Sequence, residues 1–509
     1  MDKNGAPMAD YDKITEAIEN VEKLIQVFCK KKYQLKAMLN LNTPIMKRLT
    51  REMLARIFIL INESVDTMPK MTMPTPFLLA QVCTAWRKLV QSTPRLWSTI
   101  SISFSTELQE GQRRMLKEWL TRSANYPLDV RIYRPMPKST TSDPESGEPP
   151  QETILLLLAS SAQWQSFTVL DGGPFQGLRD ELASEFHHFP NLQSVAIHGH
   201  ANGCLLWNFH SPPRLKTVRF DRLGRASNLC VDWKIVHHLD ATVGITDCMF
   251  VLPQALSLKT LKFDMRHEEP EDTHLQEHTL LCNPEAQPID LAFLTDLSVR
   301  SECKGQNFDT LFGKVLLPAL KNLSVEVSLF SQRVQWWSSF LDSIDRSECT
   351  LTHLSITTAG NPSEDEILDF LRFLPSLEHL TLCTTLTGRS RTPLTDATVD
   401  FLTVPQQEPY ERPISQYLPS LKSFSYNGNV EVDPETILSM IQSRTGSQRP
   451  EGEHTTLVQK LESFKLIYHN KSWAQEQNPN RMQHFYFALA KMVFAGIVVD
   501  LVWDPEVKS

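Results

Sequence analysis

Apolar residues recur along this chain with a period near 3.6 at the start and with a period of two further on. The change falls in Gln81–Ser103, QVCTAWRKLVQSTPRLWSTISIS. Leu79, Val82, Cys83 and Trp86 stand at i, i+3, i+4 and i+7, and Leu89 and Val90 prolong the stripe, which predicts a single helix. Thr75 and Pro76 supply its cap and first turn, and Pro94 stops it. Beyond Trp97, Ile100 and Ile102 alternate with Ser and Thr, the pattern of a half-buried strand. A small helical head therefore leads into something that begins with a strand.

Upstream, Ile14, Ala17, Ile18, Val21, Leu24, Ile25 and Phe28 keep heptad spacing over about two heptads. That is short for a coiled coil, so the expectation is an amphipathic helix packed on its own protein, with a dimerising helix as the alternative. Lys30–Lys32 is read as solvating the end of that helix. In PIMKRLTREMLARIFILI, Leu54, Ile57, Phe58 and Ile61 form a second stripe, and Asn62–Pro74, rich in Met and Pro, separates it from the Gln81 helix. About sixty residues in three helices cannot bury both sides of every helix, so Leu54/Ile57/Phe58 and Val82/Cys83/Trp86 need a partner surface or the following domain.

From Trp97 onward one hexamer recurs, apolar-x-x-apolar-x-apolar. It reads Trp97-STISI, Trp164-QSFTV, Leu192-QSVAI, Leu215-KTVRF and Leu258-KTLKF. It goes on as Leu294-TDLSV, Leu320-KNLSV, Leu351-THLSI, Leu377-EHLTL, Leu421-KSFSY and Leu461-ESFKL. From Trp164 the intervals are 28, 23, 43, 36, 26, 31, 26, 44 and 40 residues, the spacing of leucine-rich repeats with insertions. Helical signals fall between them. Ser363 and Glu366 make a capping box before Ile367–Leu374, Val334/Trp337/Phe340/Leu341/Ile344 form a stripe, and Asp433-Pro434 opens another helix. The predicted fold is α/β: a helical head, then an irregular solenoid with parallel strands on one face and helices on the other. An open α/β sheet is the alternative. Gly496-IVVDLVW is expected to cap the array. Pro135–Gln151, Arg266–Gln287, Val404–Ser415 and Arg444–Thr456 read as loops.

Three co-linear segments carry a family resemblance: Leu49-TREMLARIF through Phe58, then Gln81-VCTAWR, then Ser92-TPRLW. They resemble the F-box-like head of a large fungal family of F-box proteins with degenerate leucine-rich repeats. Trp119-LTRS, Pro127-LDVRIY and Ala162-QW stand where that family has its first repeats after the head. Thr50 departs from the family, which usually has Pro there, and Asn62–Pro74 is longer than in compact F-boxes. The resemblance implies a head that docks on the Skp adaptor, and through it on the cullin, of a ubiquitin ligase. Leu49, Leu54, Ile57, Phe58, Val82 and Trp86 are the implied adaptor-binding residues. The domains would then be an N-terminal amphipathic helix over 1–43, the F-box-like head over 44–96, and the solenoid with its cap over 97–509.

Composition narrows the function. A formal charge of −8 over 509 residues offers no basic stripe for nucleic acid. No apolar run is long enough to span a membrane, and the first residues carry no apolar core of a secretory signal. Nine scattered cysteines without a CxxC pair suit free thiols in the cytoplasm or nucleus. His274-LQ-Glu277-His278 fits the H-x-x-E-H zinc-hydrolase pattern, but Pro270 and Pro284 flank it in an acidic segment with little apolar support. His198-Gly-His200 with Cys204 is a weak metal pattern without an evident fourth ligand. Gly172-Gly173-Pro-Phe-Gln-Gly177 lacks the Lys-Ser/Thr of a phosphate loop and reads as a turn.

The expectation is therefore a substrate receptor of a Skp–cullin–F-box ligase that binds an unknown protein target, needs no cofactor and makes no bond itself. The alternatives are a repeat scaffold without a ligase role and, remotely, the zinc hydrolase. The fifth hexamer position lies between two buried ones and so points away from the core. Ser298, Ser324, Ser355 and Thr381 should line the recognition surface, with Arg219 and Lys262 as neighbours beside Asp221 and Asp264, biasing it towards an acidic target.

Overall fold

The computed structural model describes residues 8–43, 47–64, 74–103, 110–133, 151–170, 175–184, 187–198, 207–209, 212–221, 226–265, 288–301, 306–327, 336–358, 362–384, 393–404, 417–445, 458–469 and 479–503. It divides into two compact units, Met1–Leu170 and Asp171–Ser509, so three strands share a unit with the helical head.

The first unit holds α1 (Met8–Leu41), α2 (Arg51–Ser64), α3 (Thr75–Val82), α4 (Thr84–Gln91), β1 (Thr99–Ser103), α5 (Glu110–Ser123), β2 (Leu128–Tyr133), α6 (Gln151–Leu158) and β3 (Trp164–Leu170). The three strands run parallel in the order β1-β2-β3, with Ile100, Val130 and Phe167 in one row and Ile102, Ile132 and Val169 in the next. All six of these side chains are buried. The single helix expected across Cys83 is in fact two. Cys83 is extended at φ −160°, ψ 169°, and its Sγ accepts from the Trp86 amide to start α4 afresh. An extended residue rotates everything after it, so the stripe from Leu79 through Val82 to Trp86 is not one face.

Aromatic rings organise the core around this break. Phe58 is fully buried and lies 4.6 Å, centroid to centroid, from Trp86. Phe77, Trp97 and Trp119 meet edge to face, each pair 5.4 Å apart, a favoured geometry. Their polar edges are satisfied: Trp97 Nε1 donates to the Val90 carbonyl at 2.8 Å, and Trp119 Nε1 to the Trp97 carbonyl at 2.7 Å. Thr50 starts α2, its hydroxyl accepting from the Met53 amide at 3.3 Å. Where the F-box-like pattern has Pro, a capping side chain begins the helix.

Helix α1 overturns its expected packing. It runs 34 residues, so Lys30–Lys32 lies inside it and not at its end. Its heptad continues through Leu35, Met38 and Leu39, and the stripe is exposed along its length, from Ile14 at 60% to Leu39 at 70%.

The second unit holds α7 (Gln176–Leu182), β4 (Ser194–His198), β5 (Trp207–Asn208), β6 (Thr217–Asp221), β7 (Leu229–Cys230), β8 (His238–Val243), α8 (Ile245–Val251), β9 (Thr260–Met265), β10 (Ile289–Asp290) and β11 (Asp296–Ser301). It continues with α9 (Gln306–Lys314), β12 (Val315–Leu316), β13 (Asn322–Val327), α10 (Trp336–Ser347), β14 (His353–Thr358), α11 (Glu364–Leu371), β15 (His379–Thr384), α12 (Asp396–Leu402), β16 (Ser423–Gly428), α13 (Pro434–Thr445), β17 (Ser463–Tyr468), α14 (Pro479–Phe494) and β18 (Val498–Trp503). Eleven strands form a parallel sheet in the order β4-β6-β8-β9-β11-β13-β14-β15-β16-β17-β18. Two short parallel pairs, β5 with β7 and β10 with β12, lie outside it.

Every hexamer read from the sequence leads into a strand. The first-position residues Leu192, Leu215, Leu258, Leu294, Leu320, Leu351, Leu377, Leu421 and Leu461 are all fully buried. Each contributes about 1.5–3 kcal/mol by leaving water. A further repeat was hidden: Val236-HHLDA leads into β8 and divides the 43-residue interval between Leu215 and Leu258 into 21 and 22. Val at the first position and Ala at the sixth mask the leucine signature. The capping box at Ser363 and Glu366 forms as expected, and Asp433 accepts from the Glu435 amide to start α13.

The expected terminal segment is β18, in register with β17, although Val498, Val502 and Trp503 are exposed. Gly496, at φ 89°, makes the turn out of α14 that leads to it, a conformation for which glycine is suited.

Two of the expected loops begin inside the core. Val404 is buried, and Arg444 is a buried residue of α13 whose guanidinium donates to the carbonyls of Leu402 at 2.6 Å and Leu418 at 2.9 Å. A charge at a loop boundary reads as solvated, but this one ties the ends of two repeats together. Residues 135–150, 266–287, 405–415 and 446–456 of those loops lie outside the described residues.

Candidate interaction surfaces

On the sheet of the second unit, third- and fifth-position side chains alternate with the buried rows and so share the open face. Ser298, Ser324, Ser355 and Thr381 pair strand to strand in one unbroken line, as expected, and all four are half-buried. Lys262 precedes Ser298 in that line. Arg219 and Lys262 are not neighbours, because β8 runs between them and puts Asp240 in the row. Asp240 lies 3.6 Å from Arg219 Nε and 3.8 Å from Lys262 Nζ. Thr242 likewise separates Asp221 from Asp264. In place of the expected adjacent cations there is a cation–carboxylate–cation line in solvent, with contacts worth about 0–1 kcal/mol.

A cavity of about 360 Å³ opens over β9, β11, β13, β14 and β15. Lys262 and the four hydroxyl residues form its floor, and Asp296, Asn322, His353 and His379 line it from the third position. Asn322 Nδ2 and Thr295 Oγ1 both donate to Asp296, which orients that carboxylate. The rings of His353 and His379 stack with centroids 4.1 Å apart. Burial, then the neighbouring His379, holds the His353 pKa below its ordinary value. Next to His379 in the chain, Glu378 accepts from Lys422 Nζ at 2.7 Å, and that bond holds the Glu378 pKa down. The histidine pair was legible in principle, since the third position obeys the same period of two as the fifth. The cavity can take an extended polar segment that trades hydrogen bonds with hydroxyls and imidazoles.

A smaller pocket of about 30 Å³ lies among Glu364, Cys383, Leu394, Thr398 and Tyr426. It is internal architecture: Thr395 and Thr398 hydroxyls donate to Glu364, and the Tyr426 hydroxyl donates to the Asn429 carbonyl at 2.8 Å. Burial pushes the Tyr426 phenol and the Cys383 thiol up.

In the head, the six implied adaptor residues part company. Leu54 and Phe58 are buried in the head's own core, and Leu49 and Trp86 are half-buried. Ile57 and Val82 are exposed. With them, Met53, Leu60 and Ile61 on α2 and Leu78 on α3 are also exposed. Met53, Ile57, Leu60 and Ile61 stand at i, i+4, i+7 and i+8, so α2 is apolar on two faces, of which one is used internally.

Among the described residues, no group of three or more His, Cys, Asp or Glu is placed to hold a metal ion. His274, Glu277 and His278 lie outside the described residues, as do His200 and Cys204, while His198 ends β4. Gly172 and Gly173 are also outside them, and Gly177 is in α7. No helix among the described residues is long and apolar enough to cross a membrane. No protein-family model and no curated protein matches the chain.

Proposed function

We propose that the chain is a substrate receptor of a Skp–cullin–F-box ubiquitin ligase, with an F-box-like head for the adaptor and a degenerate leucine-rich solenoid for the target. The observation that carries this reading is the second apolar face of α2, Met53/Ile57/Leu60/Ile61, together with the exposure of Leu78 and Val82 on α3. A short helix exposes such a face to solvent at a cost unless a partner covers it. The in-register hydroxyl line and its cavity supply a polar surface for the target. Recognition of this kind needs positioning and no catalytic group, and it belongs in the cytoplasm or nucleus, where the adaptor works.

The test is co-purification of the full chain with the Skp adaptor, for the natural sequence and for Ile57→Asp with Leu60→Asp. Both positions are exposed, so the double variant keeps its unfolding midpoint while adaptor binding is lost. If the natural chain does not bring down the adaptor, or if the variant binds it equally well, the repeat scaffold without a ligase role replaces this reading.

A further inference from the structure

The longest apolar surface among the described residues belongs to α1. Ile14, Ile18, Val21, Ile25, Phe28, Leu35 and Leu39 follow alternating steps of three and four, with one break at Lys32, and Leu24 and Met38 widen the stripe. All of them are exposed by more than half. Among the residues of this segment whose side chains are described, only Ala37, Asn40 and Thr43, near its end, are partly covered. Burying this stripe in a two-fold interface would take on the order of 1,500 Å² out of water, the size of a stable specific interface.

The charges say what covers it. Asp10, Asp12, Glu16, Glu19 and Glu22 dominate the first half, against Lys13 and Lys23, whereas from Leu24 to Leu41 the only charges are Lys30, Lys31, Lys32 and Lys36. The helix dipole favours acids in the first turn and bases in the last, but Lys30–Lys32 is two to three turns from the end, beyond its reach. Two parallel copies would set acid on acid and base on base. Two antiparallel copies would set each acidic half on a basic half.

With the two-fold near Gln26 and Val27, Ile14 faces Leu39, Ile18 faces Leu35 and Ile25 faces Phe28 of the second copy. Lys32 then falls opposite Val21, flanked by the second copy's Glu19 and Glu22, which answers the break in the stripe. Glu16 comes level with Lys36 and Glu22 with Lys31.

We infer that α1 is an antiparallel dimerisation helix whose partner is a second copy of this chain. Such an interface is isologous, each patch completing its own image. The inference does not depend on the ligase reading.

Sedimentation equilibrium of the full chain at tens of micromolar tests it. The expected mass is twice 58.2 kDa, and a monomer overturns the inference. Val21→Glu with Ile25→Glu should give a monomer whose unfolding midpoint is otherwise unchanged. A dimer that survives that change uses another surface and also overturns it. Glu16→Lys with Glu22→Lys, and Lys31→Glu with Lys36→Glu, should each weaken self-association at least tenfold. An equimolar mixture of the two should restore a dimer. In a parallel pair the first of these variants would leave like charges facing like as before, so unchanged association rejects the antiparallel arrangement.

Discussion

Ile57 and Phe58 are adjacent on α2, yet Phe58 is fully buried against Trp86 and Ile57 is exposed, as are Met53 and Leu60 on its side of the helix. In the strand array the corresponding choice is never left open. The buried fourth- and sixth-position side chains alternate with third- and fifth-position residues that are polar in every hexamer but the one with Ala196, and the period of two sends the two sets to opposite faces. The head and α1 carry more apolar surface than their own core takes up, whereas the hexamer strands of the array bury their apolar rows and show a polar face, with exposed apolar side chains left mainly at its C-terminal end on α14 and β18. On the proposed reading, binding by the head would rest on hydrophobic burial, and binding by the array on hydrogen bonds and shape.

Five tests probe that contrast, in falling order of effect. Phe58→Ala should destabilise the chain by about 3–5 kcal/mol, read in chemical unfolding, while Ile57→Asp next to it should cost no more than about 1 kcal/mol. Equal costs would mean the two faces of α2 do not differ. In the array, Arg444→Ala leaves the Leu402 and Leu418 carbonyls without their donor, and about 2–4 kcal/mol should be lost, again by unfolding.

Gly428→Ala comes next. A Cβ there would collide with Thr384 Oγ1 and the Tyr426 ring, so about 1–3 kcal/mol is expected, with the midpoint as the measure. Ser324→Arg and Ser355→Arg should change stability by no more than about 0.5 kcal/mol, because both stand on the open face. Each should weaken binding of an identified target at least tenfold in a titration, since a long cation fills the hydroxyl line.

The smallest effect is pH dependence. His353 has its pKa below 6.5 in the folded array, so the unfolded chain binds more protons near and below that pH. Stability should fall slightly as pH drops from about 7 to about 5, and His353→Asn should flatten that part of the urea-midpoint profile. Glu378, whose folded pKa is lowered, adds a separate loss of stability only below its ordinary range near 4.5.

Local pattern alone established the strands that follow the leucine hexamers, the capping box at Ser363 and the hydroxyl line, because strand periodicity and capping depend on residues a few positions apart. Tertiary structure decided the rest. Whether Val236-HHLDA is a repeat depends on β6 and β9 leaving a strand's width between them, and so does the place of Asp240 between Arg219 and Lys262. The apolar spacing did not reveal the break at Cys83, after which Trp86 packs on Phe58 of a separate helix. The burial of Arg444 depends on two carbonyls 42 and 26 residues away in the chain. An apolar stripe states that a helix has a face to bury. Which of two apolar faces goes inward, as on α2, is settled only by the surfaces that long-range folding brings against it.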